Sequence, residues 1–262
     1  MSTPDLASVA ARVLPLLDLT SLGEDDQPAD IDRLCADAQS PAGPVAAVCV
    51  WPRFVAQAVD RLAGTGIPVA AVANFPEGDD DDDRARADAS AIVEAGGTEV
   101  DVVVPWRLLV DGAADGSGSE EAITRLVAAT KAEIGDGVAL KAILETGELV
   151  GADPIGRAAL AALDGGADFL KTSTGKTARS ATPEAAQVLI GALTQHADRG
   201  RPDGGRPRGL KVSGGVGTVE QAAVYLAMAE ECYGSVGPDQ LRFGASRLLG
   251  ALLEVLNPPR PD

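Results

Sequence analysis

The sequence predicts a single α/β domain over residues 1–262, folded as a (β/α)8 TIM barrel. Three observations lead there. Short apolar runs rich in Val, Ile and Leu recur along the chain, each followed by a longer segment with helical spacing, the pattern of βα units around a parallel sheet buried on both faces. Eight such units can be counted. The chain of 262 residues is close to the roughly 250 of a complete barrel. An open doubly wound sheet also alternates strand and helix, but eight units in this length favour closure.

The first strand is expected at residues 14–19 and the second at 45–50. After the second, Phe54, Val55, Ala58, Val59 and Leu62 fall on one helical face that can cover the sheet. The third strand, 68–73, follows Gly64 and Gly66, and the fourth, 99–104, follows Gly96 and Gly97; these glycines stop a helix before the chain reverses. Between them the acidic run 79–83 sits where a helix should begin, so its carboxylates favour the positive end of the helix dipole. The fifth strand is placed at 138–144, the sixth at 167–171 after Gly165 and Gly166, the seventh at 209–212 and the eighth at 241–244. Leu248, Leu249, Leu252, Leu253 and Leu256 form the apolar face of a closing helix. Residues 111–119 and the Pro/Gly/Arg-rich 198–208 read as inserted surface loops, and short disordered tails are expected at 1–8 and 257–262.

Composition narrows the function classes. A formal net charge of −17 argues against a nucleic-acid partner, because phosphate backbones demand a basic footprint. The acidic surface reads as solvation. Cys35, Cys49 and Cys232 are odd in number, widely spaced and form no CxxC pair, which fits a reducing compartment rather than a disulfide framework. The start of the chain lacks a basic and then apolar leader, and no apolar run reaches membrane-spanning length. A cytoplasmic protein with no membrane contact is expected.

In such a barrel the chemistry sits at the C-terminal ends of the strands, so polar residues that end apolar runs are the candidates. Asp18 and Thr20 end the first run, Cys49 lies in the second, Asp101 in the fourth, Lys171 ends the sixth and Lys211 lies in the seventh. A lysine at a buried strand end must be paired, neutralised or used, because an isolated buried ammonium is costly. Lys171 on its own fits equally a structural lysine reaching solvent. Lys211, ending the neighbouring strand in the same way, shifts the balance. Two ammonium groups close together repel, so one loses its proton at lower pH, and an amine brought down to a pKa of roughly 7 to 8 is a usable nucleophile. Asp101 can then accept and return protons; its plainer role is to neutralise a lysine.

Glycine turns follow the last three strands: Gly175 with Lys176, Gly214 with Gly215, and Gly244 before Ser246. Backbone N–H groups in the loops after strands seven and eight commonly form the phosphate site of such a barrel, so a phosphorylated substrate is expected. Gly175-Lys176-Thr177 resembles the end of a nucleotide-binding P-loop, but Leu170 stands where the earlier glycine is needed. His196, the one histidine, reads as a surface residue of an outer helix, and no histidine or cysteine set has zinc spacing.

These residues carry a resemblance. Asp18-Leu-Thr-Ser-Leu, Val48-Cys-Val-Trp-Pro-Arg-Phe, Asn74-Phe-Pro, Glu99-Val-Asp-Val-Val, Glu145-Thr-Gly-Glu-Leu, Lys171-Thr-Ser-Thr-Gly-Lys, Lys211-Val-Ser-Gly-Gly-Val and Arg242-Phe-Gly-Ala-Ser occur in that order. Over about residues 16–253 the sequence resembles the deoxyribose-phosphate aldolases, which are Schiff-base (class I) aldolases. The resemblance implies reversible cleavage of 2-deoxy-D-ribose 5-phosphate to acetaldehyde and D-glyceraldehyde 3-phosphate, with the imine on Lys171 and no metal or organic cofactor. It further implies that Lys211 tunes the amine and that Asp101 relays protons. Asp18, Thr20, Cys49 and Thr172 would line the substrate pocket, and Gly175, Lys176, Gly214, Gly215, Gly244 and Ser246 would hold the phosphate. A homodimer is the family expectation. The chain departs from the family where a basic residue often follows the Gly-Gly-Val motif and Gly217 stands here, and where Arg247 follows Ser246; no C-terminal tyrosine is present. Arg247 is expected to supply the charge that Gly217 omits, the alternative being a surface pair with Asp239. Competing readings are a transaldolase or other Schiff-base sugar-phosphate aldolase, a phosphate-binding isomerase without imine chemistry, and a silent barrel. The intact lysine pair and aspartate argue against the last.

Overall fold

The computed structural model describes residues 5–111, 118–198 and 208–257. Eight parallel strands close into a barrel in sequence order. They are β1 (Leu17–Thr20), β2 (Ala47–Val50), β3 (Val69–Ala73), β4 (Glu99–Val103), β5 (Ala139–Ile143), β6 (Phe169–Lys171), β7 (Gly209–Ser213) and β8 (Leu241–Ala245). Closure is made by β8 on β1, with Leu17 opposite Phe243 and Asp18 opposite Gly244. The strands are almost wholly buried, as the continuous apolar runs require.

Each expected strand is found, with differences at the ends. Leu14–Leu16 is a 3-10 turn with Pro15 inside it, and proline has no N–H for the ladder, so β1 begins only at Leu17. Ala167 still donates to Ala162 O at 3.1 Å as the chain leaves the preceding helix, which delays β6 to Phe169. The expected loops at 111–119 and 198–208 fall largely on residues 112–117 and 199–207, outside the described part of the chain.

The helices form the outer layer: α1 (Leu6–Val13), α2 (Pro28–Asp37), α3 (Val55–Arg61), α4 (Asp82–Glu94), α5 (Leu108–Asp111), α6 (Ser119–Ile134), α7 (Ala152–Asp164), α8 (Pro183–Asp198), α9 (Val219–Tyr233) and α10 (Leu248–Leu256). The acidic run starts α4 as its pattern requires: the Asp81 carboxylate accepts from Arg84 N, and Asp82 and Asp83 lie in the first turn. Val55, Ala58 and Leu62 turn inward from α3, and Leu248, Leu249 and Leu252 from α10. Burying each of those leucines contributes about 1.5–3 kcal/mol. Residues 5–8 of the expected N-terminal tail are structured, because Asp5 caps α1 by accepting from Ala7 N and the helix runs from Leu6, and residues 1–4 lie outside the described part. Residues 258–262 of the expected C-terminal tail lie outside the described part. No helix among the described residues is long and apolar enough to cross a membrane.

Candidate active site

Alternation along a strand puts residues two apart on one face, so Glu99 and Asp101 both point into the barrel from β4. Register then brings their partners alongside. Asp101 stands opposite Lys141 of β5, Lys171 of β6 opposite Lys211 of β7, and Lys211 opposite Arg242 of β8. Asp101 is the hub: its Oδ2 accepts from Lys171 Nζ at 2.8 Å and from Lys211 Nζ at 2.7 Å, and its Oδ1 accepts from Lys141 Nζ at 2.7 Å. Lys211 also lies 2.5 Å from Asp18 Oδ2, and Lys141 lies 2.6 Å from Glu99 Oε2. Arg242 closes the network, donating to Asp18 at 2.6 Å and to Glu99 at 3.1 Å. All seven side chains are buried.

Buried charge must balance, and here it does so only if one amine is neutral. Three carboxylates, Asp18, Glu99 and Asp101, face four cations, Lys141, Lys171, Lys211 and Arg242. Burial alone would push all three amines down. For Lys211 the charges of Asp101 and Asp18 outweigh it, and for Lys141 those of Asp101 and Glu99, so both amines are held above the ordinary lysine value. Lys171 differs. Burial, helped by repulsion from Lys211, outweighs its contact with Asp101 and leaves it below the ordinary value. Asp18 and Asp101 resist the upward push of burial because the surrounding cations hold both below the ordinary carboxylate range. Of the three buried lysines, Lys171 is the one whose amine is shifted toward its neutral form.

A cavity of about 460 Å³ opens at the C-terminal ends of the strands. Thr20, Gly175, Lys176, Gly214, Gly215, Gly244 and Ser246 all line it, together with Arg247. Lys176 Nζ donates to Leu22 O at 2.7 Å and lies 5.7 Å from the centre of the Trp51 ring. Two glycines have specific reasons to be there. Gly214 has φ +81°, and a Cβ on it would stand 2.5 Å from Ser180 Oγ. A Cβ on Gly244 would stand 2.6 Å from Ser213 Oγ and 3.0 Å from Lys211 Cε, so this glycine makes room for the second lysine. Arg247 precedes α10, whose positive dipole end therefore adjoins the cavity.

Asp18, Thr172 and Cys49, expected along the pocket wall, are like Lys171 and Asp101 not among the residues that line this cavity. Asp18 is fully buried and its carboxylate is engaged by Lys211 and Arg242. The Thr172 hydroxyl donates to Ser213 O at 3.1 Å and accepts from Ser213 N at 2.9 Å, which ties the ends of β6 and β7 together. Cys49 is fully buried in β2, and burial pushes its thiol up. Gly217, which donates to Gln221 Oε1 at 2.8 Å, belongs to the turn into α9. His196 lies on α8 with its Nε2 3.6 Å from Asp164 Oδ1 of α7.

The sequence reading missed Lys141, Glu99 and Arg242 as members of the cluster, and Glu145 beside it. Glu145, with φ 51°, accepts from Thr174 N at 3.3 Å, from Thr174 Oγ1 at 2.5 Å and from Thr177 Oγ1 at 3.3 Å. It thereby fixes the loop that carries Gly175 and Lys176. A partial signal was present for two of them: Lys141 and Arg242 are charged residues with apolar neighbours on both sides, whereas Glu99 follows Thr98.

Among the described residues no group of three or more His, Cys, Asp and Glu side chains is placed to hold a metal ion. Comparison with known proteins adds a family. The model of the DeoC/LacD family aldolases matches residues 12–249. A candidate deoxyribose-phosphate aldolase from Toxoplasma gondii ME49, solved at 1.8 Å, superposes with a TM-score of 0.85 at 30% identity over 95% of this chain and 94% of that one. A second candidate of that name, from Coccidioides immitis, gives 0.77 at 27% identity over 97% and 88%. The tetrameric deoxyribose phosphate aldolase of Aeropyrum pernix shares the fold, with 0.73 at 20% identity over 98% and 99%.

Proposed function

The chain belongs to the DeoC/LacD family of aldolases, and from that premise we propose that it reversibly cleaves 2-deoxy-D-ribose 5-phosphate to acetaldehyde and D-glyceraldehyde 3-phosphate through an imine on Lys171. The observation that carries this reading is the cluster around Asp101, in which Lys171 alone is held below the ordinary lysine value. The neutral Lys171 amine attacks C1 of the open-chain sugar, and the carbinolamine loses water to give the protonated imine. Removal of the proton from the C3 hydroxyl then breaks the C2–C3 bond. Its electron pair moves into the imine, releasing glyceraldehyde 3-phosphate and leaving an enamine. Protonation at C2 and hydrolysis return acetaldehyde and free Lys171.

Asp101 contacts Lys171 at 2.8 Å, which supports a role in moving protons to and from that nitrogen, directly or through water. Lys211 supports it by staying charged: its repulsion keeps a proton off Lys171 and favours attack. The cavity beside Gly175, Lys176, Gly214, Gly215, Ser246 and Arg247 suits the phosphate, with two cations and backbone N–H groups at its wall. No metal or organic cofactor enters this scheme.

The test is release of acetaldehyde from 2-deoxy-D-ribose 5-phosphate by the purified chain. Lys171→Met should abolish it, and a variant that turns over at the native rate would overturn the assignment. Faster transfer from a ketose donor than cleavage of deoxyribose phosphate would point to a transaldolase instead. A cytoplasmic homodimer completes the proposal. Its supports are the three free cysteines and the family expectation, and light scattering tests the dimer.

A further inference from the structure

The ionic cluster does not stop at the substrate side. Glu99 opens β4 and Arg242 lies near the start of β8, and both line a second cavity, of about 630 Å³, with Lys131, Asp168, Phe169 and Arg208. Apart from Lys131 of α6, these residues come from the N-terminal ends of the strands, opposite the face where Gly214 and Ser246 line the first cavity. From there two chains of contacts converge on Asp101. One runs from Arg242 through Asp18 to Lys211, at 2.6 and 2.5 Å, and the other from Glu99 to Lys141 at 2.6 Å. Both lysines then contact Asp101 at 2.7 Å.

We propose that Glu99 and Arg242 are positioning residues for the aldol reaction: from the far face of the barrel they fix Lys141 and Lys211 as charged partners of Asp101, so that Lys171 alone is left to react. Neither lines the cavity assigned to substrate. The inference rests on the imine reading given above.

The chemistry is a charge count in a cluster whose seven side chains are all buried. The groups presented to Lys171 are Asp18 from β1, Cys49 from β2, Glu99 and Asp101 from β4, Lys141 from β5, Lys211 from β7 and Arg242 from β8; β3 carries only Val and Ala. With Cys49 a neutral thiol, three carboxylates meet four cations when Lys171 is protonated. Removing Arg242 removes that surplus, and Lys171 keeps its proton. Removing the charge of Glu99 enlarges the surplus, and Lys171 sheds its proton more readily. Removing both leaves two carboxylates and three cations, restoring the native surplus of one.

The experiment measures, against pH, both kcat/KM and the rate at which borohydride with acetaldehyde labels Lys171. Arg242→Met should move the acidic limb up by about one pH unit and Glu99→Gln should move it down by about as much. The double variant should return the limb to its native place, and Arg242→Lys, which keeps the charge, should leave it there. General damage to the fold lowers amplitude without moving the two limbs in opposite directions. If Arg242→Met does not fold, Glu99→Gln against the native chain and Arg242→Lys makes the same decision. Limbs that stay put, that move the same way, or that the double variant fails to restore overturn the proposal while Lys171 is still labelled. Absence of label on native Lys171 overturns the imine reading, and this inference falls with it.

Discussion

Replacing Lys211 by leucine isolates the contribution of the second ammonium to the reactivity of the first. Lys171 Nζ and Lys211 Nζ lie 2.8 and 2.7 Å from the same Asp101 oxygen. The two nitrogens are therefore no more than about 5.5 Å apart, and at an effective dielectric of about 20 their repulsion is about 3 kcal/mol, or roughly two pKa units. Lys211→Leu removes that repulsion, and also leaves three carboxylates facing three cations, so Lys171 retains its proton to higher pH. The acidic limb of kcat/KM against pH should move up by about two units, with about a hundredfold loss at a fixed pH on that limb. The assay is acetaldehyde release from 2-deoxy-D-ribose 5-phosphate over a pH series, with circular dichroism confirming that the variant is folded. A uniform drop with the limb in place would mean that Lys211 acts by direct contact with substrate. An unchanged profile would mean that it does nothing to Lys171.

Further outcomes follow from the same geometry. Arg247→Ser should weaken kcat/KM for the phosphorylated sugar by about tenfold to a hundredfold, the worth of one charge-assisted contact, and leave unphosphorylated deoxyribose nearly untouched; equal losses on both would place the damage at the lysines. Dialysis against EDTA should leave activity intact, because the carboxylates Asp18, Glu99 and Asp101 are engaged by lysines and Arg242; loss restored by zinc would refute this. Asp18 and Asp101 bind protons more weakly folded than unfolded, so the stability they contribute is full above the unfolded value of 3.8 and is lost as pH falls below it. Melting temperature should therefore drop steeply below about pH 4, and Asp18→Asn, destabilised at neutral pH, should show a shallower drop.

The barrel was legible because a parallel sheet covered on both faces writes each strand as an apolar run, and glycines mark where the helices end. The start of β1 was not, since Leu14, Pro15 and Leu16 are as apolar as a strand and only the missing N–H of Pro15 tells them apart. Within the site, Lys171, Lys211 and Asp101 could be singled out by standing at or near the ends of their runs. Glu99, Lys141 and Arg242 escaped because their roles depend on register between strands, which one-dimensional spacing does not show. The pairing of Asp18 with Lys211 and Arg242 escaped for the same reason: its partners arrive from β7 and β8, far along the chain.

The central claim is that Lys171 forms the covalent link to substrate, and trapping tests it most directly. Borohydride added with acetaldehyde should reduce the imine to a secondary amine, adding a two-carbon unit irreversibly. Peptide mass spectrometry should find that addition on Lys171 and lose it in Lys171→Met. Label on Lys176, Lys141 or Lys211 in its place, or an unmodified protein that still cleaves deoxyribose phosphate, would contradict the mechanism.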